Sequence, residues 1–281
     1  MRHPDDGPTT YAATDRLPSG VAVHTWTPRE PVATIVLQHG INEDAHSFVT
    51  QHGALVPRLV DAGFTVLALD LWGHGDSPGA RGHASIRRAA LDHRAVRGRA
   101  TDTGLPTFLL GYSLGGVLTA RAVVEDARRP AAAPPVRGVV LVSPAFSRRL
   151  SRVERRSMGL MAALGRRTLP MHPEGAARDG GRQVSLALGV TAADSSALVL
   201  DAVDAWERPT LVVRGSADRV TDPRTSAAFA RSVAAADVTH RTVDGAGHRV
   251  LDADDGAVAQ GVVDWCRERI AGPERPAGPH D

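Results

Sequence analysis

The sequence predicts an α/β protein with a mainly parallel sheet flanked by helices, and three observations carry that prediction. Short apolar, β-rich runs alternate with longer helical stretches along most of the chain. The alternation stops after Ser143-Pro144 and resumes at Pro209, so a long insertion interrupts an otherwise regular unit. Near the middle, Phe108-Leu109-Leu110-Gly111-Tyr112-Ser113-Leu114-Gly115-Gly116 sets a serine between two glycines where a strand turns directly into a helix.

Taken in order, strands are expected at residues 21–26, 32–38, 65–70, 107–112, 136–142, 209–214 and 238–243, with helices filling the intervals. The second strand ends in His39-Gly40-Ile41. The fourth ends at Tyr112, and Val117, Leu118, Ala120, Ala122 and Val123 then suit a helix that runs to about Arg129-Pro130. The last two strands lead into Ser216-Ala217-Asp218-Arg219 and Asp244-Gly245-Ala246-Gly247-His248. Residues 11–144 and 208–271 therefore form the predicted core and 145–207 a predicted cap (lid) insertion. The Pro/Gly-rich ends, 1–10 and 272–281, are expected to be poorly ordered.

A serine lifted clear of the backbone at such a turn is a candidate nucleophile, and the glycines let the chain pass closely on either side. A serine needs a base, and a histidine base needs an acid to hold its tautomer. His248 and Asp218 meet those needs, each just beyond the end of a strand; Asp222 and Asp244 are rival acids, the first with the look of a helix cap. Stabilising an oxyanion takes two backbone N–H groups, assigned to Leu114 after the serine and Ile41 after Gly40. Gly40, Gly111 and Gly115 permit the close approaches. Asn42, His46 and Tyr112 are candidates for lining the pocket, and His39 is read as structural.

Gln38-His39-Gly40, Asp70-Leu71-Trp72-Gly73-His74-Gly75-Asp76-Ser77, Gly111-Tyr112-Ser113-Leu114-Gly115-Gly116, Val142-Ser143-Pro144, Arg214-Gly215-Ser216-Ala217-Asp218-Arg219 and Gly245-Ala246-Gly247-His248 resemble the α/β-hydrolase superfamily. Within it they are most similar to the monoacylglycerol lipase and lysophospholipase branch. The resemblance runs from about Val32 to Trp265 and fails between Pro144 and Pro209; Tyr112 and Leu114 stand where that branch more often has histidine and methionine. It implies a serine hydrolase acting on a small-molecule ester, including a lipid ester, with no cofactor and no metal ion in the chemistry. A thioesterase or an acyltransferase on the same triad remains open, as do a haloperoxidase-type enzyme and a non-catalytic ligand receptor.

Composition narrows the field. All 33 basic residues counted as Lys+Arg are arginine, which excludes a Schiff-base lysine, a serine-lysine dyad and a P-loop lysine. Cys266 is the single cysteine, so no intramolecular disulfide or cysteine-clustered zinc site can form. The formal charge of +2 is small and acids are interspersed with arginines, so nucleic-acid binding is not expected. The polar start of the chain lacks a signal-peptide pattern, and the expectation is a soluble, cytoplasmic protein of open oligomeric state. Within the insertion, Leu150, Val153, Leu160, Met161 and Leu164 recur at helical spacing among arginines. Such a helix either rests on an anionic lipid surface or packs its apolar side on the core with its arginines solvated, and the second is the expectation. A mobile loop is expected at Asp179-Gly180-Gly181.

Overall fold

The computed structural model describes residues 10–80, 83–128, 135–170, 183–233 and 237–270. The expected Asp179-Gly180-Gly181 loop, the C-terminal tail and all of the N-terminal tail except Thr10 lie outside them.

The strands are β1 (Thr10–Arg16), β2 (Ala22–Pro28), β3 (Ala33–Gln38), β4 (Phe64–Leu69), β5 (Thr107–Tyr112), β6 (Gly138–Val142), β7 (Thr168–Pro170), β8 (Gln183–Ser185), β9 (Thr210–Gly215) and β10 (Val238–Val243). Eight of them form one sheet in the order β1-β2-β4-β3-β5-β6-β9-β10. β1 and β2 join antiparallel, β2 meets β4 antiparallel, and every pairing from β4 through β3, β5, β6 and β9 to β10 is parallel. β3, β4, β5 and β6 are buried along their whole length, as strands covered on both faces must be.

The helices are α1 (Ser47–Thr50), α2 (Leu55–Asp61), α3 (Ile86–Asp102), α4 (Leu114–Ala127), α5 (Arg152–Ala163), α6 (Leu186–Leu200), α7 (Pro223–Ser232) and α8 (Ala257–Glu268). Strand alternation sends Ile35, Leu37, Leu110 and Val140 to one face, where they meet Phe48, Leu59, Val262 and Cys266 from α1, α2 and α8. Val36, Leu109, Leu141 and Val212 point to the other, against Val96, Val117, Ala120, Val199 and Phe229 from α3, α4, α6 and α7. This two-faced core holds the carboxyl ends of β3, β5, β6, β9 and β10 side by side.

The seven expected strands are all present, with ends shifted by one or two residues. β1 is additional: it starts at Thr10, assigned above to the tail, and its residues 12–16 are exposed except for half-buried Ala13. Such an edge strand carries no buried face and hence no apolar alternation to read.

Between β6 and β9 the chain forms α5, the antiparallel β7–β8 ribbon and α6. α6 docks on α4, with Leu188 clustered beside Leu114 and Leu118. α5 behaves differently. None of its residues is buried, and Val153, Leu160 and Leu164 just beyond its end are 72%, 61% and 77% exposed. The expected packing of this apolar side on the core is therefore corrected: the helix is tied to its neighbour by the Arg155–Asp194 ion pair, and Arg148 and Arg149 pair with Glu154 and Asp201. Val153, Leu160 and Leu164 of its apolar side face outward, while Leu150 and Met161 are half-buried.

Candidate active site

Ser113 sits between β5 and α4 with φ 54° and ψ −118°, a conformation that side chains with a Cβ rarely adopt. Its surroundings enforce it. A Cβ on Gly111 would lie 2.4 Å from the Gly115 carbonyl oxygen, and one on Gly115 would lie 2.1 Å from the Gln38 carbonyl oxygen. Only glycine at both places lets α4 start directly against β3 and β5. The Ser113 N–H donates to Val142 O at 2.9 Å, and its carbonyl accepts from Gly116 and Ala145 at 3.0 Å each.

His248 arrives on the loop after β10, which passes over the end of β9 because Gly215 has no side chain; a Cβ there would meet Ala246 O at 2.1 Å. Its Nε2 lies 3.0 Å from Ser113 Oγ and its Nδ1 2.9 Å from Asp218 Oδ2. All three side chains are buried. Asp218 accepts three more hydrogen bonds, from the N–H groups of Val220 (2.8 Å) and Thr221 (3.0 Å) and from Thr221 Oγ1 (2.7 Å). Burial works to raise this carboxyl, but the His248 bond and charge and the Thr221 bonds outweigh it, holding Asp218 ionised and below the usual aspartate range.

Of the rival acids, Asp222 caps α7 by accepting from Arg224 N at 2.9 Å, and Asp244 accepts from Ser216 Oγ at 2.9 Å. The sequence-predicted trio is thus brought together and its rivals are engaged elsewhere. The β3 loop passes beside the serine: a Cβ on Gly40 would stand 3.0 Å from Ser113 Cβ, and Ile41 follows directly. Asn42 is buried at φ 62° in the same loop. Tyr112 is buried between His52 and His248, ring centroids 4.6 and 5.3 Å away. His46 lies at the rim of the sheet, its ring edge-on to His24 and Trp26. His39 is structural as expected, its Nε2 accepting from Leu71 N at 2.9 Å and its Nδ1 donating to Gly40 O at 2.6 Å.

Ser143 was missed as a functional candidate. It lies just past β6 at φ 41°, fully buried, and its Oγ donates to the His248 carbonyl at 2.9 Å, with Tyr112 OH a weaker second donor at 3.4 Å. Its sequence signal is a serine before proline at a strand end, which by itself reads as a turn.

A second buried hub supports the β3 loop. Asp70, past the end of β4, accepts from Ala45 N and Asp76 N at 2.8 Å each and lies 2.8 Å from His24 Nε2. Burial opposes its charge, but the His24 bond, the nearby His39 ring and these amides hold its carboxyl down to about 2.

The sheet order, the strained serine and its aligned histidine and aspartate define an α/β-hydrolase. Residues 29–255 match the family model described as serine aminopeptidase, S33 (Hydrolase 4), and the chain belongs to that family. It is similar to the human monoglyceride lipase, 37% identical over 125 residues that cover 42% of this chain and 37% of the relative. A monoacylglycerol lipase of Mycolicibacterium smegmatis is 36% identical over 103 residues, 34% of each chain. The crystal structure of a monoacylglycerol lipase from Paleococcus ferrophilus is 25% identical, covers 92% of this chain and 99% of its own, and superposes with a TM-score of 0.69. The chain spans less than half the length of the first curated relatives it matches, 28–43%.

Proposed function

We propose that this protein is a serine hydrolase that cleaves carboxylic esters of acyl chains, in the manner of a monoacylglycerol lipase or carboxylesterase. The Ser113–His248–Asp218 alignment carries the proposal. His248 Nε2 takes the hydroxyl proton as Ser113 Oγ attacks the ester carbonyl carbon, and the carbonyl π electrons move onto oxygen. That oxyanion is held by the N–H groups of Leu114, at the unpaired start of α4, and of Ile41. Collapse expels the alcohol, which leaves with the proton from His248. Water, deprotonated by the same imidazole, then attacks the acyl-enzyme and releases the acid and Ser113. Asp218 holds the Nδ1–H tautomer throughout and stabilises the imidazolium.

The preference for an acyl chain rests on the apolar wall beside the serine. Leu71, Leu114, Leu118 and Leu188 cluster there, with Ile41 and Val184 packed against them, so the oxyanion loop and the 145–207 segment meet in one apolar cluster. In this reading that segment is a lid. The outward apolar side of α5, set among arginines, suits peripheral contact with a lipid surface presenting such esters. No helix among the described residues is long and apolar enough to cross a membrane.

The test is a panel of p-nitrophenyl esters, monoacylglycerols, acyl thioesters and aminoacyl anilides, run with wild type and Ser113→Ala. Ester turnover that vanishes in the folded variant is the expected result. Turnover of the anilides alone would redirect the function to peptide bonds, and ester turnover that survives in the variant would remove Ser113 from the mechanism.

A further inference from the structure

Outside the predicted active site, the described residues bring two imidazoles and a carboxylate to one point at the rim of the sheet. His24 on β2, His46 on the loop after β3 and Asp76 on the loop after β4 each offer one ligand atom, and the three atoms lie within 4.8 Å of one another. His24 is buried, and its Nε2 lies 3.8 Å from Asp76 Oδ2. The His46 ring stands edge-on to His24, centroids 4.5 Å apart.

We propose that His24, His46 and Asp76 form a binding site for a first-row divalent transition ion of the zinc type. Two imidazoles and one carboxylate are a donor set such ions favour, and ligand atoms around a tetrahedral zinc stand about 3.4 Å apart for bonds of roughly 2.0–2.1 Å. Closing the triangle takes about an ångström of movement, which exposed His46 and Asp76 supply by side-chain rotation.

The surroundings resemble the outer shell of a built site. Thr14 Oγ1 lies 3.0 Å from His24 Nδ1 and can accept its proton, leaving Nε2 as the ligand atom. The buried Asp70 carboxylate, 2.8 Å from that Nε2, accepts its proton in the metal-free chain. Binding exchanges the Nε2 proton of His24, released to solvent, for the cation; no electron transfer is involved. The loop carrying Asp76 is held in place, since its Asp76 N–H binds Asp70 and its carbonyl accepts from Arg16 at 2.9 Å. The ion would clip β2 to both loops, and the first of these also contains Ile41. This site is structural and does not depend on the proposed ester chemistry.

The experiment uses untagged, metal-free full-length protein titrated with zinc chloride by calorimetry, alongside its thermal unfolding midpoint, with cobalt(II) as an absorption probe. The expected result is a single micromolar site, a midpoint raised by a few degrees and a cobalt visible band of tetrahedral intensity. His46→Ala and Asp76→Asn, both at exposed positions, should each weaken zinc roughly tenfold or more, whereas His240→Ala should not. Magnesium chloride should give no heat. Zinc binding that is equally tight in the double variant would assign the ion to other histidines. Neither heat nor a midpoint shift with zinc at a concentration of about 1 mM would also overturn the site.

Discussion

Ser143 keeps a left-handed backbone while carrying a Cβ, and the bond from its hydroxyl to the His248 carbonyl offsets that strain. The bond fixes the loop that aims the imidazole, so Ser143 is a positioning residue. Ser143→Ala and Ser143→Gly should both lower kcat by roughly tenfold, the equivalent of one buried hydrogen bond, with KM little changed. Their stabilities should differ, the glycine variant unfolding at higher urea because it tolerates the backbone angle. A kcat loss confined to the alanine variant would mean that backbone strain, not the hydroxyl, was responsible. The acid assignment is tested in the same assay. Asp218→Asn should cost several orders of magnitude in kcat by inverting the amide-bonded tautomer, while Asp222→Asn keeps both activity and its cap, since asparagine caps as well. Asp218 and His248 were legible in the sequence because each closes a strand of recognisable composition. Ser143 was not, because its partner is a backbone carbonyl 105 residues away.

At the level of elements, close approach between α4 and β3 is set by one atom's absence. A methyl at Gly115 would stand 2.1 Å from the Gln38 carbonyl oxygen and 2.6 Å from that of His39, both main chain, so the helix must lift off the strand to admit it. Gly115→Ala should lose about 1–3 kcal/mol or more in urea unfolding, and activity with it, as the elbow opens. Gly98 in α3 is the contrast: nothing lies within 4 Å of its added Cβ, and Gly98→Ala should gain about 0.5–1 kcal/mol from helix propensity. Equal effects in the two variants would show that propensity rather than contact governs both. The buried strands were legible for the reason that makes them sensitive: coverage on both faces leaves an unbroken apolar run. α5 was not, since apolar spacing establishes that a helix has an apolar side without establishing what covers it, and here Val153 and Leu160 are open to solvent.

Across the whole molecule, stability in acid depends on a group that no motif marked. His93 on α3 is fully buried, and neither ring nitrogen has a hydrogen-bond partner among the described residues. Burial, aided by the nearby Arg97 charge, pushes its pKa down from 6.5 to about 3. The folded chain therefore keeps this ring neutral while the unfolded chain protonates it. Its depressed value makes the associated stability fully present above about pH 6.5 and progressively lost as pH falls towards 3. The loss is at most roughly 1.4 kcal/mol per pH unit over that window. Asp70 and Asp218, also depressed, lose their contributions only below the ordinary aspartate value of 3.8, so between pH 6.5 and 4 His93 acts apart from both. His240 is depressed too, by its own burial and nearby arginines, but it is retained in any His93 variant and cancels in the comparison. Replacing His93 with leucine removes two unpaired nitrogens and the proton site together. His93→Leu should be neutral to stabilising at pH 7, and its unfolding free energy should fall less steeply than that of wild type between pH 6.5 and 4. Urea titrations at a series of pH values read this directly: parallel curves for the two proteins would mean that the buried ring is protonated in the folded state, and the acid sensitivity would have to come from elsewhere.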